Sequence, residues 1–288
     1  MMPPGDPERG RPLPQPDGEA RRRREGPRLR PFQERGASVS PLPLRTIAID
    51  RYLETIFCIA SEDEPVRPSR LAHWLGVKAP TVSIGLRRLR AGGWVRTELD
   101  RRITLTAAGT AAAQAIVRRH RVAERWLTDV LGLDWATAHL EANRLASAIS
   151  DTVLDRLDAT LGEPSTCPHG HPIPGRTAPY GALVALADLP PGTTAAVRRI
   201  SEIIEHEAFE LLRELAAAGV RTGTEVIVET DPSWRGITLT VDGRPHALRL
   251  DPAAARLIWV ELAGSPGTPG IAGKGPLGSG ASRLQRAP

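Results

Sequence analysis

The stretch CPHGHPIPG, residues 167–175, divides the chain into two parts with different apolar spacing. It holds three prolines and two glycines, residue types that interrupt helices and strands. Before it, apolar residues recur at the spacing of amphipathic helices. After it, apolar and polar residues alternate over short segments, as they do in half-buried strands. The chain is therefore predicted to be mainly α with a small β region.

The helical part opens with the pattern of a winged helix-turn-helix. A first helix is predicted from IAIDRYLETIFCIA, and a short second helix, PSRLAHWLG, ends at Gly76. A third helix, KAPTVSIGLRRLRAGG, carries Pro80 in its first turn. A helix, a glycine turn and a helix rich in Ser, Thr and Arg are typical of DNA-reading modules. WVRTELDRRITLT then predicts two strands joined by a turn, with Arg101 and Arg102 at the tip of the wing.

Charge is concentrated in this module. Residues 66–102 carry nine Lys and Arg against two acids, whereas the rest of the central region is acidic. A basic segment within an otherwise acidic region indicates a polyanionic partner, here double-stranded DNA. Short hydroxyl side chains near the start of the third helix can bond phosphates or bases, and its cations can neutralise phosphates. These candidate DNA-binding residues are Lys78, Thr81, Ser83, Arg87 and Arg88.

Two places in the chain offer metal-binding side chains. In RRHRVAERWL, His120 and Glu124 lie one helical turn apart and therefore on one face. Imidazole and carboxylate together suit Fe, Mn, Co, Ni or Zn, although the pair also fits a solvated helix surface. Cys167, His169 and His171 within CPHGHPIPG suggest either a Cys/His site or a rigid linker. The prolines and the short spacing favour the linker.

The remaining segments predict three more helices and then a small barrel. Thr106, Asp134 and Ser150 are predicted to cap successive helices, because their side chains can accept bonds from free backbone N–H groups. Beyond the linker, five short strands surround the helix HEAFELLRELAAAG, which fits a small SH3-like barrel.

Composition excludes several classes of protein. No apolar run approaches the roughly 18 residues of a membrane span. Two cysteines, Cys58 and Cys167, give no disulfide framework, and Cys58 is expected to be a small buried residue. The arginine run near the N-terminus is followed by no apolar stretch, so a secretory signal is not predicted. A cytoplasmic protein is expected.

Three motifs together resemble a known family. PTVS at the start of the third helix, RRHRVAERWLTDVLGLD and CPHGHPIPG are similar to the metal-dependent repressors related to the diphtheria toxin repressor and the mycobacterial iron-dependent regulator. The resemblance covers roughly residues 46–262. It implies a winged helix-turn-helix, a helical dimerisation domain and a C-terminal SH3-like (FeoA-type) β-barrel.

Domain boundaries follow from combining this order with the patterns above. Both ends of the chain are rich in proline, glycine or arginine and are predicted to be disordered. The predicted ranges are 1–45 for a basic tail, 46–106 for the winged helix-turn-helix, 107–164 for the helical metal-binding and dimerisation domain, 165–180 for the linker, 181–263 for the SH3-like domain and 264–288 for a second tail.

The resemblance also implies a metal site and its ligands. The family's ancillary site takes His120 and Glu124 from one helix and His139 from the next. Two further ligands from the third domain match Glu202 and Glu205. A register shifted by one residue would replace them with Ile203 and His206. Fe²⁺ or Mn²⁺ is the expected cation, with Zn²⁺, Co²⁺ and Ni²⁺ as further candidates.

A second, activating site of the family has no matching ligands here. Its positions are occupied by Arg51, Asn143, Ala146 and Ser147, none of which is a good ligand for a divalent transition metal. The recognition helix also departs from the family pattern. Ile84 stands where the diphtheria toxin repressor has a base-contacting Gln, so contact with a thymine methyl group is expected.

The expected function is therefore a metal-responsive repressor that binds a pseudo-palindromic DNA operator as a homodimer. Its ancillary metal site would be kept and its primary site would be degenerate. One alternative is a DNA-binding regulator that needs no metal. The other is a metallo-hydrolase, but the sequence lacks a phosphate-binding glycine loop, a nucleophile elbow and a His-Glu-x-x-His motif. An enzyme is not predicted.

Overall fold

A computed structural model of the chain describes residues 46–263. Both predicted tails lie outside the described residues. Helices form the first part of this range and strands the second, which confirms the predicted order. The helices are α1 (Ile47–Ser61), α2 (Pro68–Leu75), α3 (Ala79–Ala91), α4 (Ala107–Asp129), α5 (Trp135–Leu145), α6 (Asp151–Thr160), α7 (Glu202–Glu207), α8 (Phe209–Ala217) and α9 (Pro252–Arg256). The strands are β1 (Val95–Thr97), β2 (Ile103–Leu105), β3 (Val184–Ala185), β4 (Thr194–Ile200), β5 (Glu225–Glu229), β6 (Ile237–Val241), β7 (Arg244–Leu250) and β8 (Ile258–Leu262).

The first three helices and the hairpin β1–β2 form the winged helix-turn-helix. Gly76 ends α2 with a φ of 64°, a left-handed conformation that costs glycine little. Trp74 and Trp94 are buried in the core of this unit. The centre of that core consists of the fully buried aliphatic side chains of Leu53, Ile59, Leu71, Val82 and Leu89.

The next three helices begin at the predicted caps. The side chains of Thr106, Asp134 and Ser150 accept hydrogen bonds from the third residue after each of them, at the starts of α4, α5 and α6. Each bond satisfies a backbone donor that has no partner inside its helix. The first of these helices is long enough to reach from the winged helix to the metal-ligand candidates. No helix of residues 46–263 combines the length and apolar character that crossing a bilayer requires.

The third domain is a six-stranded antiparallel sheet with strand order β3-β8-β4-β5-β6-β7. Its apolar core is closed by α8, through the fully buried Leu212 and Leu215. Trp135, at the start of α5, is part of the same core. The helical domain is therefore packed onto the sheet.

The segment between the helices and the sheet is not an exposed connection. His169 and His171 are buried, and the backbone of the segment bonds to strand β4 through Ile200 N–H and the His169 carbonyl, at 2.8 Å. Gly170 has a φ of 93°, and a Cβ there would lie 1.9 Å from the Arg198 carbonyl oxygen. Only glycine allows the two backbones to approach this closely.

Helix α7 contacts the winged helix directly. Glu62, at the end of α1, accepts hydrogen bonds from the Ser201 hydroxyl at 2.8 Å and from the Glu202 N–H at 2.9 Å. At the other end of α7, Glu207 accepts a hydrogen bond from the Trp74 indole and pairs with Arg70. A helix of the third domain is thereby fixed to both α1 and α2.

Candidate metal centre

Ligand-type side chains from four segments meet where α4, α5, α7 and the proline-rich segment come together. All of them are less than one-tenth exposed. Buried ionisable groups need partners or a metal, because desolvation otherwise makes the charged forms too costly. The members are His120, Glu124, His139, Cys167, His169, His171, Glu202 and Glu205. They are called the junction cluster below.

One carboxylate oxygen forms the centre of the first group of ligands. Glu124 Oε1 lies 3.0 Å from His120 Nε2 and 2.9 Å from His139 Nδ1. Glu205 Oε2 lies 3.1 Å from the same nitrogen of His139. Neighbouring ligands each about 2.1 Å from one ion are separated by about 3.0–3.4 Å. The ligand atoms of His120, Glu124 and His139 all lie within 4.8 Å of one another, close enough to share one divalent cation.

The register of α7 decides which of its side chains reach the cluster. Glu202 and Glu205 are buried there, whereas Ile203 packs against the winged-helix core. His206 stacks on Trp74, with ring centroids 4.4 Å apart, and lies at the edge of the cluster, within 4.8 Å of ligand atoms of Glu202 and Cys58. Of the two registers considered from sequence, the structure therefore places the glutamate pair in the cluster.

Glu202 occupies a different position from Glu205. Its Oε1 accepts a hydrogen bond from the buried guanidinium of Arg121 at 2.6 Å. The same oxygen lies 3.6 Å from His171 Nδ1. Glu202 therefore belongs to the side of the cluster that faces the proline-rich segment, away from His120.

The sequence offered the two histidines of the proline-rich segment as possible ligands, but its prolines favoured a linker. His169 Nδ1 and His171 Nε2 each lie 3.4 Å from Glu205 Oε1. Cys167 is buried beside them and forms a possible ligand group with Glu124 and His169. The expectation that this segment serves only as a linker was incomplete. Helical spacing revealed the ligands of α4, but no local pattern indicates how a proline-rich segment packs.

Electrostatics keep the metal-free cluster in a charged state. Burial alone would lower the pKa of His120, but Glu124 and Glu54 outweigh it and hold this pKa well above its usual value. Burial likewise opposes protonation of His139, yet the nearby carboxylates raise its pKa to about 9. Burial would raise the pKa of Glu124, but the surrounding histidines hold it well below its usual range. Protons on the histidines thus occupy the place that a cation would take.

The positions of the family's second site surround one cavity of about 520 Å³. Arg51 of α1 lines it together with Asn143, Ala146 and Ser147 at the end of α5. Asp50, Glu54 and His120 also contribute to the wall. The four positions are therefore neighbours in space, and none supplies a strong ligand.

The candidate DNA-binding residues all lie on the surface of the winged helix. Ile84 is 44% exposed, which is unusual for an isoleucine and consistent with a contact surface. Arg101, with a φ of 65°, and Arg102 stand at the turn of the wing. The exposed set comprises Lys78, Thr81, Ser83, Ile84, Arg87, Arg88, Arg101 and Arg102.

Models of three protein families match successive parts of the chain. They describe the iron-dependent repressor N-terminal DNA-binding domain (residues 46–103), the iron-dependent repressor metal-binding and dimerisation domain (residues 106–175) and the FeoA domain (residues 184–262). The iron-dependent repressor IdeR of Mycobacterium tuberculosis is 38% identical over 210 residues, which span 68% of this chain and 90% of that protein. The chain belongs to the iron-dependent repressor family.

Other members of the family support the same fold. The diphtheria toxin repressor of Corynebacterium diphtheriae is 35% identical over 206 residues, or 68% of this chain and 89% of that protein. A solved manganese-dependent transcriptional repressor in complex with manganese superposes with a TM-score of 0.63 at 33% identity, over 74% of this chain and 99% of that one. These relatives are transcriptional repressors, a class of non-enzymatic proteins.

Proposed function

We propose that the chain is a metal-responsive, sequence-specific DNA-binding repressor that acts as a homodimer. The observation that carries the proposal is the position of the junction cluster. Its carboxylates Glu202 and Glu205 lie on α7, and the same helix is bonded to the winged helix through Glu62 and Glu207. Helix α7 therefore connects the packing of the junction cluster to the position of the DNA-binding helices.

The first cation position is assigned to His120, Glu124, His139 and Glu205. Three pairs of their ligand atoms lie 2.9–3.1 Å apart, although α7 belongs to a different domain from α4 and α5. The cation supplies positive charge between two carboxylates that would otherwise repel each other. Fe²⁺ or Mn²⁺ fits these nitrogen and oxygen ligands and agrees with the names of the relatives; Zn²⁺, Co²⁺ and Ni²⁺ remain candidates.

The site that the family places at the first helix is proposed to be degenerate. Arg51 carries a fixed positive charge beside the cavity, and Asn143, Ala146 and Ser147 offer at most weak oxygen ligands. A cation would have to be held there against Arg51. The control of DNA binding is therefore assigned to the junction cluster.

Homodimer formation is supported by apolar side chains on the outside of the helical domain. Leu140 and Leu145 of α5 and Val153 of α6 are each more than one-third exposed. Val130 and Leu131, in the turn between α4 and α5, are about half exposed. Apolar side chains that cluster on one domain indicate a surface buried by a partner, here a second copy of the chain.

The decisive experiment measures operator affinity under defined metal conditions. A binding sequence is selected from random DNA with Mn²⁺ present, and its affinity is then measured with Mn²⁺, anaerobic Fe²⁺, Zn²⁺ or a chelator. Tighter binding with one of the cations is expected. Equal affinity in all conditions would exclude metal-responsive control and favour the metal-independent alternative.

The same selected DNA tests the assignment of the reading surface. Arg87→Ala should weaken binding. If the side chain contacts a phosphate, the slope of log affinity against log salt concentration should also become shallower by about one. The matched control is Arg213→Ala, an exposed arginine on α8 of the third domain. An equal loss in both variants would show that α3 is not the reading element.

A further inference from the structure

Five atoms of the junction cluster are buried without a hydrogen bond, and four of them belong to His169, His171 and Glu205; the fifth, His120 Nδ1, lies 3.3 Å from Glu54 Oε1. Within residues 46–263, both ring nitrogens of His169, the Nε2 of His171 and the Oε1 of Glu205 are buried without a hydrogen bond. Buried polar atoms without a partner are rare in folded proteins. Three of the unpartnered atoms lie together, since His169 Nδ1 and His171 Nε2 are each 3.4 Å from Glu205 Oε1, and such a group indicates a missing ligand.

The two oxygens of Glu205 face different histidines. Oε2 lies 3.1 Å from His139 Nδ1, which belongs to the first cation position. Oε1 lies 3.4 Å from both His169 Nδ1 and His171 Nε2. This is the arrangement of a carboxylate that bridges two metal ions, which in two-metal sites lie about 3.5–4 Å apart.

His171 is oriented so that one particular nitrogen is free for a cation. Its Nδ1 faces Glu202 Oε1 across 3.6 Å, and Arg121 holds that carboxylate at 2.6 Å. A carboxylate behind one ring nitrogen of a metal-binding histidine orients the ring and leaves the opposite nitrogen as ligand. The opposite nitrogen, Nε2, is the one that faces Glu205.

We propose that the junction cluster binds a second divalent cation, held by His169, His171 and Glu205, with Glu205 bridging it to the first. The 3.4 Å separations match the distance of about 3.4 Å between ligands of a tetrahedral ion with bonds of about 2.1 Å. Histidine nitrogens and a carboxylate oxygen suit Mn²⁺, Fe²⁺ or Zn²⁺. The inference rests on the proposed function for the first cation, and it adds the proline-rich segment to the metal-binding elements.

The test measures metal content and metal–metal coupling in the full-length protein. After anaerobic loading with Mn²⁺ and removal of free metal, elemental analysis should give two ions per chain in the unaltered protein and one in His171→Asn. Electron paramagnetic resonance should show a spin-coupled Mn²⁺ pair in the former and the six-line signal of an isolated ion in the latter. The control is His246→Asn, an exposed histidine on β7, which should keep both ions.

Other variants separate the competing outcomes. Cys167→Ser should retain two ions, because its sulfur is not among the proposed ligands. The assignment would be overturned if Cys167→Ser lost one ion while His171→Asn kept two, because Cys167 would then be a ligand of the second ion. One uncoupled ion in the unaltered protein refutes the second site and leaves the proposed function standing. No ion at all refutes both. Circular dichroism of each variant establishes that it is folded, and Glu205→Gln, which keeps the side-chain volume, should abolish coupling as well.

Discussion

The identity of some residues in this protein is explained by a contact with a distant part of the chain. Gly85, in the middle of the recognition helix α3, is an example. A glycine there weakens a helix by up to about 1 kcal/mol relative to alanine. The structure gives the reason, because a Cβ at this position would lie 2.5 Å from the ring of Tyr52 in α1. The hydroxyl of that tyrosine also bonds the carbonyl of Thr81 at 3.2 Å.

Gly85→Ala should therefore destabilise the protein, although alanine is the better helix former. The added methyl group must displace Tyr52 and its hydrogen bond, and overpacking of this kind costs about 1–3 kcal/mol. Urea denaturation should show a lower free energy of unfolding. Ser83→Ala, on the exposed face of the same helix, should leave stability nearly unchanged or raise it slightly. Greater stability in Gly85→Ala would show that the tyrosine moves aside easily.

The pKa of His139 predicts how metal affinity varies with pH. In the metal-free protein this pKa is raised to about 9 by Glu124 and Glu205, against the effect of burial. The stabilisation from protonated His139 is present in full below its ordinary pKa of 6.5 and is lost as the pH rises through 9. A cation must displace that proton, since only neutral imidazole is a ligand.

Affinity for Mn²⁺ should consequently increase between pH 7 and pH 9 by about tenfold per pH unit for each proton released. Anaerobic calorimetry at several pH values, in buffers of different ionisation enthalpy, measures both the affinity and the number of protons. An affinity that stays constant from pH 7 upwards would mean that His139 is already neutral in the metal-free protein.

At the scale of secondary-structure elements, helix α7 contacts both the junction cluster and the winged helix. Its inner face carries Glu202 and Glu205, its start is bonded to Glu62 of α1, and its last residue, Glu207, binds Trp74 and Arg70 of α2. Helix α2 packs against the recognition helix α3 in the core of the winged helix and so helps to set its orientation. Glu207 is thus a positioning residue between the metal cluster and the DNA-binding module.

Glu207→Gln should separate metal binding from DNA binding. The variant should bind Mn²⁺ with nearly unchanged affinity, because Glu207 is not a cluster ligand, whereas the gain in operator affinity on adding Mn²⁺ should shrink several-fold. Glu210→Gln is the matched control, since that glutamate is exposed on α8. If the gain is the same in both variants, the coupling runs through another contact.

The elements also show what the sequence could and could not predict. Helix starts at Thr106, Asp134 and Ser150 and the stop at Gly76 depend on atoms a few residues away, so local patterns were sufficient. His120 and Glu124 were found by their helical spacing, but His139 and Glu205 required the resemblance to a family. For His169 and His171 the sequence favoured a linker over a ligand role, because their burial depends on Gly170 approaching Arg198 of strand β4, a contact between distant segments.

At the scale of the whole molecule, the cluster takes its ligands from the helical domain, the proline-rich segment and the third domain. Ligands bound only in the folded state stabilise it in proportion to the logarithm of their concentration. Raising Mn²⁺ from the dissociation constant to a hundred times that value should increase the unfolding free energy by about 2.3 kcal/mol. Scanning calorimetry should show a rising midpoint, and His139→Ala should abolish the rise. A rise that persists in that variant would place the stabilising cation elsewhere.

The exposed apolar surface of the helical domain predicts a second property of the intact protein. Leu140→Glu should place a charge within the proposed dimer interface and shift the chain from dimer to monomer in sedimentation experiments. Operator affinity should fall with it, since two winged helices no longer bind together. Leu262→Glu, an exposed leucine at the end of β8, should remain dimeric. A monomeric unaltered protein would contradict the proposal.

The order of the cluster ligands along the chain determines when the cluster can form during protein synthesis. A polypeptide emerges from the ribosome N-terminus first, at about 5–20 residues per second, and its domains fold as they emerge. The winged helix precedes α4, α5, the proline-rich segment and α7 in the chain. A nascent chain therefore displays a complete DNA-reading module seconds before Glu205 can join the other ligands. If the junction cluster is the metal sensor, as proposed, each new molecule begins to respond to metal only when its last domain leaves the ribosome.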